Sequence, residues 1–258
     1  MDCNVCATPS TPFGSARIMN RYDIEYFRCP DCGFIQTEKP YWLEEAYQDV
    51  IIDTDVGLVA RNEKYATLTS LILRYLYPEV TRCVDYGGGY GMMTRMLRDR
   101  GHDFRHFDPY CDNLFAKGFE VSESDAKFET LTAFEVWEHM ADPIAEIERM
   151  DSMADHWILS THVVPDDCPK PGEWWYYALE GGQHVSLWTH QALSVVASRY
   201  NRHYIPLRDG LHIMSSKPIR LKSARWVTKQ RHRTLLNAFR RREPLTPLDY
   251  QAAIKRAA

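Results

Sequence analysis

Apolar positions change their spacing along the chain, and each spacing predicts a different kind of element. Residues 24–28 alternate apolar and polar side chains, as a half-buried strand does. Between residues 41 and 77 the spacing lengthens. Leu68, Leu71, Ile72, Tyr75 and Leu76 recur at helical intervals ahead of Pro78, which predicts an amphipathic helix on a core. Residues 82–86 then read as a short buried strand, 87–91 as a turn almost bare of side chains, and 92–100 as a helix closed by Gly101. A second strand over 104–107 ends at Asp108. Strand, glycine turn, helix, strand and acid form the first βαβ unit of a doubly wound nucleotide-binding sheet.

The later pattern continues that alternation. Residues 130–136 are apolar enough for a buried strand, 143–150 begin a helix, and 156–161 are another strand. A long loop over 165–182, rich in Pro, Gly and aromatics, precedes a helix capped by Thr189 and running to Tyr200. Residues 204–207 and 211–215 form a predicted hairpin turning at Asp209-Gly210. The expected fold is α/β: a doubly wound, mostly parallel sheet with one antiparallel strand at its end. Beyond Lys217, residues 235–241 read as helical, and Thr246-Pro247 as the cap and first position of a last helix. The expected division is an N-terminal module over 1–40, a main domain over 41–216 and a basic helical extension over 217–258.

Composition narrows the class. With 258 residues, 45% hydrophobic and 26% charged, and a mean hydropathy of −0.44, the chain can bury a sizeable core and is neither disordered nor membrane-embedded. No apolar run approaches the roughly 18 residues of a spanning helix. The N-terminus lacks the basic and apolar stretches of a secretory signal, so a cytoplasmic protein is expected. The net charge of −4 is uneven. Residues 217–258 hold twelve Lys and Arg against Glu243 and Asp249, a local +10 on a body of −14. Such a tail can grip phosphates or lipid head groups, or dock on its own acidic domain or a neighbouring subunit.

Four of the seven cysteines fall in two pairs, Cys3-Asn4-Val5-Cys6 and Cys29-Pro30-Asp31-Cys32, the second followed by Gly33. A two-residue spacer lets two thiolates in one turn point at a common centre, and two such knuckles complete a tetrahedral sulfur site for Zn²⁺. Four thiolates leave no open position, so the metal is expected to be structural in a small ribbon. A redox dithiol would need only one pair. Cys83, Cys111 and Cys168 share no such spacing and read as unpaired thiols.

The glycine turn decides the nucleotide. A dinucleotide fingerprint needs a glycine at its sixth position, where this chain has Met92 or Thr94. Instead, Asp85, Gly87, Gly89 and Gly91 stand at alternate positions, and no Lys or Arg in the loop meets a phosphate. A carboxylate ahead of the turn suits an ammonium group, bare backbone suits a close-lying ligand, and Asp108 suits ribose hydroxyls. This describes S-adenosylmethionine better than NAD.

Residues 84–91 (VDYGGGYG), Asp108 and residues 133–143 (AFEVWEHMADP) together resemble the class I S-adenosylmethionine-dependent methyltransferases, over about residues 65–215. The resemblance implies a Rossmann-like methyltransferase fold in which Asp85, Gly87, Gly89 and Gly91 line the methionine part, Asp108 holds the ribose and Glu135 closes the strand beneath the methyl group. Tyr90 either covers the cofactor or packs. The third strand of the family and its adenine-contacting acid are abbreviated here, with Asp125 a weak candidate for that contact. Two Cys pairs ahead of this domain and residues 182–187 (GQHVSL) before a helix look like bacterial methyltransferases of sugars and nucleotide sugars. In those enzymes a Glu-His pair lies at the corresponding place and its histidine is the candidate base. Here Gln183 precedes His184, which favours O-methylation over carbon methylation.

Histidine suits proton removal near neutral pH, so His184 is the first candidate base and His139 its rival. Against these stand a helix-entry packing role for His184 and a loop-orienting role for His139. Trp174, Trp175, Tyr176 and Tyr177 precede His184 and could stack on the apolar faces of a sugar, or form a core or dimer contact. The expected acceptor is a small sugar or glycan precursor, and a homodimer is open. Two other classes fit parts of the pattern: an RNA-modifying methyltransferase using ribbon and tail, which the acidic balance of residues 1–39 disfavours, and a non-catalytic scaffold, which the intact cofactor residues disfavour.

Overall fold

The computed structural model describes residues 1–48, 55–229, 232, 236, 237, 239 and 242–257. Most of the segment 235–241, expected to be helical, lies outside these. The strands are β1 (Thr11–Ile18), β2 (Tyr22–Arg28), β3 (Ile35–Thr37), β4 (Arg82–Tyr86), β5 (Asp103–Phe107), β6 (Phe128–Phe134), β7 (Ala154–Ser160), β8 (Ser186–Leu187), β9 (His203–Pro206) and β10 (Leu211–Ser215). The helices are α1 (Leu43–Ala46), α2 (Leu58–Tyr75), α3 (Met92–Asp99), α4 (Pro143–Met153), α5 (His190–Arg199), α6 (Leu221–Thr228) and α7 (Thr246–Ala257).

The main sheet has the order β5-β4-β6-β7-β10-β9. The β4–β5 and β4–β6 pairs are parallel, and the β9–β10 hairpin is antiparallel, so the mixed, mostly parallel sheet expected from the alternation is present. The chain steps from β4 to β5 on one side and resumes at β6 on the other, which makes the C-terminal end of β4 the switch point where such sheets hold ligands. The abbreviated third strand survives as a single parallel bridge from Glu120 to His106 beside β5.

Backbone contacts divide the chain into two units. The first comprises residues 1–54, 135–151 and 159–216, and the second residues 55–134, 152–158 and 217–258. In the first unit, β1, β2 and β3 form an antiparallel ribbon that β8 extends as a fourth strand. Its alternating residues Ile24 and Tyr26 turn inward onto a core shared with Trp42, Tyr176, Tyr177, Val185 and Leu187. A ribbon this small buries too little apolar surface alone, and the segment around β8 supplies the rest. Thr189 caps α5 by accepting the Ala192 amide at 3.0 Å.

In the second unit, Val84, Phe104 and Leu131 fill the sheet interior, each 0% exposed, and the predicted stripe of α2 is buried at Leu68, Leu71 and Ile72. The tail packs on this unit. Val227 and Leu236 cover Leu71, and α7 is held to α3 by Asp249, which bridges Arg98 and Arg95 at 2.8 Å. The tail pairs with the body in both senses: Asp249 meets the guanidiniums of α3, while Lys217 meets Glu79 at 3.5 Å. No helix among the described residues is long and apolar enough to cross a membrane.

Candidate active site and metal centre

In the second unit, β4 delivers Asp85 to the switch point, where it is 2% exposed. Its Oδ1 accepts the Thr132 hydroxyl at 2.7 Å and its Oδ2 that of Thr94 at 3.1 Å. Burial pushes the carboxyl up to about 6, and the two hydroxyls oppose that rise by favouring the charged form. The glycine loop follows. Gly91 has φ of +84°, and a methyl there would lie 2.4 Å from Asn113 Oδ1, whereas one on Gly89, at φ +54°, would meet nothing within 4 Å. Gly91 is therefore bare for the fold, while Gly89 is bare toward open space. Asp108 fixes the loop: its Oδ2 accepts the Gly89 amide at 2.8 Å and its Oδ1 those of Tyr110 and Cys111. Tyr90 is half-buried, and its carbonyl accepts the amides of Leu114 and Phe115.

A cavity of about 640 Å³ lies beside Asp108, lined by His106, Cys111, Asn113, Lys117 and Glu120 among others. Asp125 does not belong to it. It pairs with Arg82 at 3.0 Å, at the N-terminal end of β4 and away from the loop, because the chain after Val121 returns directly to the start of β6 with no helix between. The acid that lines the cavity is Glu120 on the vestigial strand.

In the first unit, Glu135 has a left-handed backbone, φ +54°, and is pinned by Ser160, whose hydroxyl donates to Oε1 at 2.6 Å and accepts the Glu135 amide at 2.9 Å. A short helical turn over Trp137–His139 then buries Glu138 completely. Glu138 Oε1 accepts the Tyr176 hydroxyl at 2.5 Å, and Oε2 has no hydrogen-bond partner among the described residues. Burial first, and the charge of Glu135 second, push this carboxyl up to about 8. His184 donates from Nδ1 to the Tyr176 carbonyl at 2.7 Å. A carbonyl can only accept, so the neutral ring carries its lone pair on Nε2. The His139 ring meets that of His184 edge-on at 4.8 Å, and its Nδ1 lies 3.0 Å from the Tyr47 hydroxyl. Glu138, His139 and His184 each bring one donor atom within 4.8 Å of the other two.

The two candidate bases thus come together, with a carboxyl that the sequence reading passed over. Gln183 is spent elsewhere: its amide donates to the Ala46 carbonyl at 2.7 Å. The carboxyl beside His184 comes from Glu138, in the quoted stretch 133–143, and the Glu-x-x-Glu-His spacing was the available signal. Gln183 alone therefore does not argue against carbon methylation. The aromatic run needs correction. Tyr176 and Tyr177 are each 1% exposed and packed into the core, so their faces are closed to a ligand; Trp175, 70% exposed, offers an open ring.

Cys3, Cys6, Cys29 and Cys32 bring all four sulfurs within 4.8 Å of one another, with separations of 3.4 Å for Cys6–Cys29 and 3.6 Å for Cys3–Cys32 and Cys6–Cys32. These are far beyond a disulfide bond of about 2.05 Å. They match the roughly 3.8 Å between sulfurs arranged tetrahedrally at about 2.3 Å from one ion. Amides of Val5 and Cys32 point at Cys3 and Cys29 sulfurs at 3.4 Å, and Ala7 and Gly33 take the left-handed turn after each pair. The donor set fits zinc.

The methyltransferase-domain family matches residues 60–205, more than half of the chain, and the chain belongs to that family. No curated protein matches it. Among solved structures it is similar to the 1,6-didemethyltoxoflavin-N1-methyltransferase of Burkholderia thailandensis, with 14% identity over 78% of this chain and 96% of that one and a TM-score of 0.48. An O-methyltransferase family protein of the same organism gives 11%, 70%, 65% and 0.49. Human N-acetylserotonin methyltransferase gives 14%, 68%, 55% and 0.46. The chain spans 61% of the length of TnmH, another similar structure, and 55% of the human enzyme.

Proposed function

We propose that the chain transfers a methyl group from S-adenosylmethionine to a hydroxyl of a sugar, nucleotide sugar or glycan precursor. The observation that carries this reading is the loop after β4, which follows the fixed carboxyl of Asp85, is held by that of Asp108, and at Gly89 has nothing within 4 Å of where a side chain would start. Asp85 with Gly87, Gly89 and Gly91 would hold the methionine part, its carboxylate facing the ammonium group, and Asp108 would meet the ribose beside the cavity that Glu120 lines. When bound, the cofactor supplies a methyl already activated on a sulfonium. The protein then has to align the acceptor oxygen and remove its proton. We place that proton's removal at the cluster of Glu138, His139 and His184, with His184 Nε2 as its acceptor. The open face of Trp175 supports a sugar, because aromatic rings stack on its apolar C–H faces.

The four thiolates would hold a structural zinc ion that fastens the first knuckle to the second. Incubation of the full chain with methyl-labelled S-adenosylmethionine and a panel of nucleotide sugars, phenols and heterocyclic amines tests the acceptor. Label is expected in an O-methyl group of a sugar. Transfer to the aromatic acceptors alone would overturn the sugar assignment.

A further inference from the structure

We propose that Glu138, His139 and His184 bind a divalent metal cation, separate from the four-cysteine site, on which the acceptor oxygen is seated. Two imidazoles and one carboxylate on one side of an ion are a recurrent donor set for divalent first-row metals, and they leave positions open for an exogenous oxygen. The three donors converge within 4.8 Å. A cation about 2.1 Å from each would draw them together by movements of roughly 1 Å.

The outer contacts carry the argument further. A metal-binding histidine hands its second nitrogen to a carbonyl, hydroxyl or carboxylate, which fixes the ring and its tautomer. Here each ligand already has that second contact. His184 Nδ1 is committed to the Tyr176 carbonyl at 2.7 Å, His139 Nδ1 to the Tyr47 hydroxyl at 3.0 Å, and Glu138 Oε1 to the Tyr176 hydroxyl at 2.5 Å. With these contacts kept, an ion at the point where the three converge would take the two Nε2 atoms and Glu138 Oε2. Glu138 is fully buried, and its Oε2 is an acceptor with no hydrogen-bond partner among the described residues. Buried polar atoms are nearly always satisfied, and an ion is one way to satisfy this one. Tyr176 serves two of the three ligands, one through its hydroxyl and one through its carbonyl, which explains why so large a residue is buried beside polar groups.

The inference rests on the reading that the acceptor loses its proton at this cluster, and changes what draws the proton away. A cation on Nε2 takes the lone pair that an imidazole base would use. The ion would then acidify the acceptor hydroxyl, and its proton would pass to solvent water instead of to His184 as the methyl leaves the sulfonium for the oxygen.

The test uses the full chain carrying one zinc ion on its thiolates, titrated separately with Mn²⁺ and Zn²⁺ while bound metal is counted. One further cation per chain is expected. Glu138→Gln and His184→Ala should lose it while keeping the thiolate zinc, which reports that the first unit is still folded. Tyr47→Phe, which removes only the outer contact of His139, should weaken it about 10- to 100-fold. Failure of both ions to bind wild type beyond the thiolate site, or equal binding by Glu138→Gln, would overturn the proposal. The count needs no methyl transfer, so a second cation in a chain that methylates no sugar would sink the acceptor reading alone. Transfer that proceeds without any second cation would sink this inference alone.

Discussion

Two glycines in one loop should respond to the same substitution in opposite ways. Gly89 and Gly91 both lie at positive φ, +54° and +84°, where a side chain costs about 1 kcal/mol or more in backbone strain. Part of that is offset by about 0.4–1 kcal/mol, because alanine has less freedom to lose on folding. In Gly89→Ala the new methyl meets nothing within 4 Å, so the net cost should stay near 1 kcal/mol or below. In Gly91→Ala it would lie 2.4 Å from Asn113 Oδ1 and 3.3 Å from Ala116. Asn113 cannot retreat freely, since Oδ1 accepts the Ala116 amide at 2.9 Å and Nδ2 donates to the Ala116 carbonyl and Glu120 at 2.7 Å. Breaking about one such bond adds roughly 1 kcal/mol, and the backbone contact adds more, for a total of about 2–4 kcal/mol. At about 2–4 °C per kcal/mol for a chain of this size, Gly91→Ala should lower Tm by roughly 5–15 °C and Gly89→Ala by less than about 4 °C. Calorimetric titration with S-adenosylhomocysteine should show the reverse ranking of direct effects. Gly89→Ala, still folded, puts its methyl where the ligand lies and should bind about 10- to 100-fold more weakly, as overpacking by about 1–3 kcal/mol implies. Wild-type affinity in a folded Gly89→Ala protein would refute the placement of the ligand on this loop.

Other variants separate stability from chemistry. Asp85 has its folded carboxyl raised from 3.8 to about 6, so the folded state binds more protons than the unfolded state in that window and stability falls as pH rises through it. Asp85→Asn should remove that slope and gain of order 1–3 kcal/mol at pH 7 while losing cofactor affinity; Tm measured across pH 4–7 checks this, and a less stable variant at pH 7 would contradict it. Cys29→Ser should lose one zinc ion per chain by elemental analysis, together with the order of the N-terminal ribbon. His184→Ala should lower turnover by about two orders of magnitude or more with cofactor affinity nearly unchanged; near-normal turnover there, with loss in His139→Ala, would move the proton's removal to His139. Asp249→Ala takes from Arg98, whose side chain is only 6% exposed, one of two carboxylate partners and leaves Asp103, and should cost about 1–3 kcal/mol, readable in urea unfolding.

The sheet was legible because its signals are local. Alternation, glycines and caps placed β4 to β7, β9 and β10 to within a few residues but gave no sign of β8, and the knuckle spacing brought four cysteines to one point. What stayed hidden depends on contacts distant in sequence. Glu138 becomes significant only once the fold sets it beside His184 and Tyr176, and a residue inside a familiar stretch does not announce a buried, half-satisfied carboxyl. Tyr176 and Tyr177 looked like a ligand surface because aromatic residues in a loop read alike whether they face solvent or a core. Asp125 was misplaced for a topological reason: without the helix that usually follows the third strand, the chain reaches the opposite end of the sheet within a few residues. The tail's excess of positive charge did not single out Asp249, one of its two acids, which pairs with Arg95 and Arg98, while Lys217 pairs with Glu79 as a basic tail would.

The central claim is that the loop after β4 is a site for S-adenosylmethionine. Equilibrium titration of the full chain with S-adenosylmethionine, with its demethylated product and with NAD tests it most directly. The account predicts one site per chain for the first two, weakened in Gly89→Ala, and no binding of NAD. Tight binding of NAD with none of the sulfonium compound or its product would contradict it.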